Sequence, residues 1–282
     1  MVDRVAQIVA LIKAKKELST LDDAFVREKV DRILRADATI QRKLDAAASV
    51  TQFSRSASYD DLLKRVRKEL RTVYGVFQSG DRDALLKKLS AGNEDRVVDE
   101  ILETHVSTKE RVPFYLDFTQ GLASHIIPAP KTIIDLGCGM NPLAHRHYVK
   151  AGWDPSWVAS DVSETDMAFL AHAFKTLGIK GKTSRIDLLS EIEKVAKLKG
   201  DVTFLLKLLD SLEESKRHIS YKLFDNITTP WIVASFPTKS LGGRKGIATA
   251  GRTWFERLLK RKELTWETFS IPNELVYVIR RG

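Results

Sequence analysis

Apolar residues in the first hundred positions recur at helical spacing, with polar faces between them. VAQIVALIKAKKEL opens the pattern, and AFVREKVDRILRA continues it at Phe25, Val26, Val30, Ile33 and Leu34. Ser19 and Thr20 are candidate caps for that second helix, with Asp22 and Asp23 in its first turn. SYDDLLKRVRKELRTVYGVF predicts a longer amphipathic helix capped at Ser58, followed by DALLKKL and EDRVVDEILETH. No proline precedes Pro113, so nothing interrupts helices before that point. Beyond about residue 105 the pattern changes. Short apolar runs that read as buried strands end at Asp135, Asp161, Asp187 and Lys207, and a fifth follows at WIVASFPT. Helical stretches separate them, among them ETDMAFLAHAFKTLGI, which closes on Gly178. ELTWETFSI and ELVYVIRR alternate around Pro272-Asn273 as a hairpin at the sheet edge. The expectation is two domains: helices over 1–105, then a Rossmann-like α/β domain over 106–282.

The run TIIDLGCGMNP carries the chemistry. A buried strand passes straight into Gly137-Cys138-Gly139, a turn that lets a ligand approach the backbone. This is half of a dinucleotide fingerprint, with Pro142 where the third glycine would stand. Asp161 lies 24 residues beyond Gly137, near the offset of about 20 at which an acid holds a ribose diol. Asp187 ends the next segment. Three neighbouring strand ends bearing Asp135 with Gly137, Asp161 and Asp187 make a nucleoside pocket. The glycine turn has no Lys-Ser/Thr pair for a triphosphate. A ligand with adenine and ribose but little phosphate fits, and S-adenosylmethionine (SAM) is such a ligand. Arg111, in the polar segment HVSTKERVPF with Ser107 and Thr108 as caps, offers a fork for the methionine carboxylate. Lys207 at a strand end and Glu213 six residues later are placed over the methyl group and its target. His145 and His147, at i, i+2 spacing, do not share a helix face, so no metal site is expected.

Charge adds a partner. The chain of 282 residues carries a net charge of +9, which points to a polyanion. Residues 1–105 hold 20 Lys/Arg against 18 Asp/Glu, but Lys64, Arg65, Arg67, Lys68 and Arg71 form a local ridge suited to phosphate contacts. The stretch from Lys239 to Lys262 has eight basic residues and one acid, Glu256. It includes a glycine-rich loop bearing Lys239, Arg244 and Lys245. Such a rim beside a SAM pocket suits a nucleic acid better than a small molecule. One cysteine, Cys138, allows no internal disulfide and fits a reducing compartment. No apolar run nears 18 residues, so a cytoplasmic protein without a membrane span is expected.

With these residues in view, the chain resembles the aminoglycoside-resistance 16S rRNA guanine-N7 methyltransferases. The motifs that carry the likeness are KRVRKELRTVYGVF, HVSTKERVP, DLGCGMNPLA, ASDV, DLL at Asp187, FLLKLLDSLE, SFPTKSLGGRKG and NELVYVI. The resemblance implies a SAM-dependent Rossmann-like domain behind a helical RNA-recognition domain, acting on small-subunit rRNA. It implies Arg111 on the methionine carboxylate, Gly137 at the cofactor loop, Asp161 on the ribose, and Asp187 with Leu188 at the adenine. It also implies that Lys207, Glu213 and Glu274 are needed for activity near the target base. After the lysine the family usually reads Thr-Leu-Pro-Cys, where this chain has Leu208-Leu209-Asp210-Ser211. The residues alone leave open a tRNA guanine-N7 or other RNA base methyltransferase, a small-molecule methyltransferase, and an RNA-binding or ribosome-assembly protein that retains SAM without turnover.

Overall fold

A computed structural model describes residues 3–14, 23–74, 82–89, 92–238 and 252–281, apart from the side chains of 68, 69, 71–74 and 106. The chain parts into two compact units, Met1–Val76 and Phe77–Gly282.

In the first unit the described elements are helices: α1 Arg4–Lys13, α2 Asp23–Ala36, α3 Ala38–Ala46, α4 Val50–Phe53 and α5 Ala57–Tyr74. Their starts follow from side-chain caps. Asp3 accepts from the Ala6 N–H at 3.0 Å, and Asp37 accepts from those of Thr39 and Ile40 at 3.0 and 3.2 Å. The cap expected at Ser58 falls one residue inside α5. Ser56 does that work instead, its hydroxyl accepting from the Tyr59 N–H at 3.2 Å. Leu62, Val66 and Leu70 make the buried stripe of α5, and Phe25, Val26, Val30 and Ile33 that of α2. Each such side chain contributes about 1.5–3 kcal/mol on burial. The proposed caps Ser19 and Thr20 lie outside the described residues.

The second unit takes in α6 Arg82–Leu86 and α7 Glu94–Leu102, which the expected boundary at 105 had grouped with the preceding helices. Val97, Val98, Ile101 and Leu102 of α7 join one core with Phe118, Leu122 and Ile133. The expected hinge is itself helical. α8 spans Val106–Arg111, and a 3-10 turn leads into α9, Tyr115–His125. Thr108 does not cap the next helix. Its hydroxyl donates back to the carbonyls of Leu102 and His105.

Seven strands follow: β1 Thr132–Leu136, β2 Ser156–Asp161, β3 Gly181–Arg185, β4 Val202–Leu206, β5 Trp231–Pro237, β6 Thr265–Ile271 and β7 Glu274–Arg280. They form one sheet in the order β3-β2-β1-β4-β5-β7-β6. The first five run parallel, β7 is antiparallel to β5, and β6 is antiparallel to β7. The connecting helices are α10 His145–Lys150, α11 Glu164–Leu177, α12 Leu209–Ser215, α13 Ile219–Asn226 and α14 Thr253–Arg261. Two apolar cores cover the two faces of the sheet. The third strand lies earlier than expected: it ends at Arg185, and Asp187 stands in the loop beyond it. The hairpin forms as expected, but β7 lies inside the sheet against β5, with only β6 at the edge. Register sets Glu274 opposite Pro237 at the tip of β5. Strand order reverses between β1 and β4, and such a reversal opens a crevice at the carboxyl ends of the strands. Among the described residues no helix is long and apolar enough to cross a membrane.

Candidate active site

The crevice is built by the turn after β1. Gly137 and Gly139 have φ of +63° and +49°. A Cβ on Gly137 would stand 2.7 Å from a Leu208 methyl, and one on Gly139 would stand 2.8 Å from the His105 ring. The turn is pinned across the sheet. The Gly139 N–H donates to Asp161 Oδ2 at 2.9 Å, while Asp161 Oδ1 accepts from the Val162 N–H at 2.7 Å. Asp161 is therefore fixed at the tip of β2 beside the glycines. Burial, then the charge of Asp166, pushes its carboxyl up to about 6.

Asp135, at the end of β1, is buried. One oxygen accepts from Asn141 Nδ2 at 2.7 Å. The other, Oδ1, is buried with no hydrogen-bond partner among the described residues. Burial raises this carboxyl to about 7. A partnerless buried acceptor beside two glycines with no room for side chains fits a ligand that brings its own donors. An adenosyl compound with ribose hydroxyls and an amino group has them.

Arg111 is also buried, and the structure gives it an inner partner. Its Nε and Nη2 donate to the two oxygens of Glu274 at 3.1 and 2.6 Å, and each side chain is 1% exposed. Nη1 donates to Asn141 Oδ1 at 3.3 Å. The guanidinium also lies over the Phe118 ring at 4.8 Å. Burial pushes the Glu274 carboxyl up, but the charges of Arg111 and Lys207 outweigh it and hold the group below its ordinary value. Glu274 is thus ionised and bidentate with Arg111, a pairing between the first residue of β7 and the last of α8.

Lys207 follows β4 with φ of +53°, a backbone geometry costing about 1–3 kcal/mol for such a residue. Ser235 holds it there, its carbonyl and hydroxyl oxygens both accepting the Lys207 N–H at 3.0 Å. The ammonium is 2.6 Å from Glu110 and 3.6 Å from Glu274 Oε2. Arg111, Glu274, Lys207 and Glu110 therefore form one charged chain of alternating sign. His105 lies by this group. Burial, with the charges of Arg82, Arg111 and Lys207, drives it down to about 3, so it is neutral.

The structure does not bring Glu213 to this group. Its two oxygens accept from the His218 and Ser220 N–H groups at 2.7 and 2.8 Å, capping the start of α13. Glu213→Ala is expected to cost about 1 kcal/mol, a Tm loss of about 2–4 °C by thermal melt, with cofactor affinity unchanged by calorimetry. Asp187 is spent on its own loop: Oδ1 accepts from the Leu189 N–H at 2.9 Å and Oδ2 from the Ser190 hydroxyl at 3.0 Å. Leu188 is buried in the core on that face. Of the basic ridge, Lys64 is exposed, and Arg65 pairs with Asp37 at 2.7 Å and Asp61 at 3.4 Å. The side chains of Lys68 and Arg71, and all of Lys239, Arg244 and Lys245, lie outside the described residues.

The sequence pattern gave no sign of Asn141, Tyr115 and Tyr148, which meet Asp135 and Arg111 in the core. Asn141 stands inside the glycine motif itself. Its partners lie 6 and 30 residues away, so no local spacing points to it.

The family model described as "Ribosomal RNA methyltransferase (FmrO)" matches residues 35–278. A 16S rRNA (guanine(1405)-N(7))-methyltransferase from Micromonospora echinospora is 33% identical over 291 aligned positions, covering 99% of this chain and 97% of its own. One of the same name from Micromonospora rosea is 34% identical, covering 87% and 90%. The crystal structure of the 16S rRNA methyltransferase RmtF in complex with S-adenosyl-L-homocysteine superposes with a TM-score of 0.72 at 22% identity, covering 100% of both chains.

Proposed function

Since the chain belongs to the ribosomal RNA methyltransferase (FmrO) family, we propose that it transfers the methyl group of SAM to guanine N7 in 16S rRNA of the small ribosomal subunit. The observation that carries this reading is the pinned turn: the Gly139 N–H held by Asp161 at 2.9 Å, beside the partnerless oxygen of Asp135. The relatives named for guanine 1405 supply the substrate and position, and the RmtF complex supports an adenosyl ligand in this fold.

Asp161 and the two glycines would hold the ribose, Asp135 the amino end, and Leu188 with the Asp187 loop the adenine. Arg111, steadied by Glu274 and Asn141, would place positive charge toward the methionine carboxylate. When bound, SAM supplies a methyl group on a positively charged sulfur. Guanine N7 has a lone pair and no proton, so no base is needed before attack. The residues' task is alignment, with N7 held about 3–3.5 Å from the methyl carbon. The base has to leave its stack to arrive there, at a few kcal/mol. Lys207, held in strained geometry by Ser235 and neutralised by Glu110 and Glu274, would orient the base from the tip of β4. The N-terminal helices, with Lys64 and Arg67 on α5, and the segment bearing Lys239, Arg244 and Lys245 would contact the RNA backbone.

Incubation with labelled SAM and isolated small subunits, free 16S rRNA or tRNA, followed by digestion and mass spectrometry, tests this. Label at guanine N7 of 16S rRNA is expected; label confined to tRNA, or none, would overturn it. Replacing Lys64 and Arg67 together with alanine is expected to weaken subunit binding and to flatten its log-log salt dependence by about 0.7–0.9 for each phosphate no longer neutralised. Cofactor affinity should not change. A salt slope equal to that of the wild type removes this part of α5 from the interface.

A further inference from the structure

Asn141 opens the 3-10 turn Asn141–Ala144 that follows the glycine loop, and its side chain is buried. Its Nδ2 donates to Asp135 Oδ2 at 2.7 Å. Its Oδ1 faces three donors: Arg111 Nη1 at 3.3 Å, the Tyr115 hydroxyl at 3.2 Å and the Tyr148 hydroxyl at 3.4 Å. One carboxamide thus ties the end of β1 to α8, α9 and α10. Its orientation follows from these neighbours, since a flipped amide would turn its NH2 onto a guanidinium and its oxygen onto a carboxylate. A carboxamide donates through its nitrogen to the anion and accepts through its oxygen from the cation at once.

We propose that Asn141 is the positioning residue of the cofactor pocket: it occupies Asp135 Oδ2, so that Oδ1 is left as the acceptor for the cofactor, and it fixes the Arg111 guanidinium beside it. This rests on the function proposed above and extends it to a residue that touches neither the reacting atoms nor the RNA. An Asn with the same spacing but no such partners would only complete a turn. The distinction is experimental because Asn141→Asp preserves shape and replaces the fixed donor with a carboxyl that donates only when protonated. Two carboxyls at the 2.7 Å separation of this pair share one proton at low pH and give it up only as pH rises. The charged and titratable groups around that pair are Arg111, Tyr115, Tyr148, Cys138, Glu274 through Arg111, and Asp161 beside Asp135.

The probe is S-adenosylhomocysteine, titrated calorimetrically into the full chain between about pH 5.5 and 8, the range that brackets both raised carboxyls. Wild-type affinity is expected to rise with pH as Asp135 and Asp161 ionise. Asn141→Ala is expected to lose at least tenfold at the upper end of that range. Asn141→Asp is expected to reverse the trend, binding best at low pH, where the shared proton restores the donor, and falling at least tenfold by its upper end. Binding of small subunits by both variants should match wild type, which a general loss of structure would not permit. If both variants keep wild-type affinity and pH profile, or Asn141→Asp loses affinity equally at every pH, the positioning role is overturned while the proposed function stands. If the wild-type chain binds no S-adenosylhomocysteine, both are overturned.

Discussion

Glu274→Ala should unfold the second unit at a markedly lower temperature and abolish methyl transfer. The guanidinium of Arg111 is 1% exposed, and two of its three nitrogens are satisfied by Glu274. Deleting the carboxylate leaves a buried cation without its counter-charge, a loss of about 3–5 kcal/mol. For a unit of this size that is a Tm decrease of roughly 6–20 °C. A double variant separates folding from function. Arg111→Met with Glu274→Leu removes both charges and keeps the volume, and such exchanges of buried ion pairs are often neutral or stabilising. Its melting temperature should return to near that of the wild type while transfer stays absent. A double variant that is both stable and active would reduce the pair to packing. Equal instability in the single and double variants would locate the effect in shape and not in charge.

The second large effect is at Asp161. Its carboxylate orders the glycine turn through the Gly139 N–H and is the proposed acceptor for the ribose. Each hydrogen bond to a charged group is worth about 1.5–3 kcal/mol, so Asp161→Ala should weaken cofactor binding by at least about 100-fold, measured by calorimetry. Binding that survives unchanged would reject the pocket. The same carboxylate makes binding pH-dependent. Asp161 and Asp135 titrate near 6 and 7, above the ordinary carboxylate value, chiefly because they are buried. In the empty protein their contribution to stability is complete below about pH 4 and is lost as pH rises through 6 and 7. A cationic ligand bringing hydroxyl and ammonium donors favours the ionised forms. Binding therefore releases protons, and affinity climbs between about pH 5.5 and 7.5, by up to about tenfold per unit for each group. The gap in melting temperature between bound and empty protein should widen over that range; a constant gap would contradict the coupling.

Much of the sheet domain was legible because parallel strands buried on both faces are short apolar runs. β1, β2, β4 and β5 are of this kind, and their ends place Asp135, Asp161 and Lys207 at one edge. β3 is the exception that explains itself. GKTSR is a polar strand at the sheet edge, whereas Ile186 and Leu188, which resemble strand residues in the sequence, are loop residues turned into the core. Short polar helices such as α3 carry few apolar positions and leave little pattern to read. Within the site, residue types were readable where the motif is local, as in Gly137, Gly139 and Asp161. Roles were not readable where the partner is distant. Arg111 and Glu274 each stand out in the sequence, yet their pairing spans 163 residues and leaves no spacing signal. Glu213 looks like a neighbour of Lys207 six residues away, but the turn at His218, with φ of +64°, brings the start of α13 back onto its carboxylate.

The residue that neutralises Arg111 belongs to the β6–β7 hairpin, and β7 enters the sheet between β5 and the edge. During synthesis every other wall of the pocket leaves the ribosome first, and Arg111 waits through more than half of the chain for its counter-ion. A nascent chain lacking β7 holds a buried cation without its counter-charge. The ion pair thus forms only with completion of the sheet, and the second unit reaches its full stability at that step.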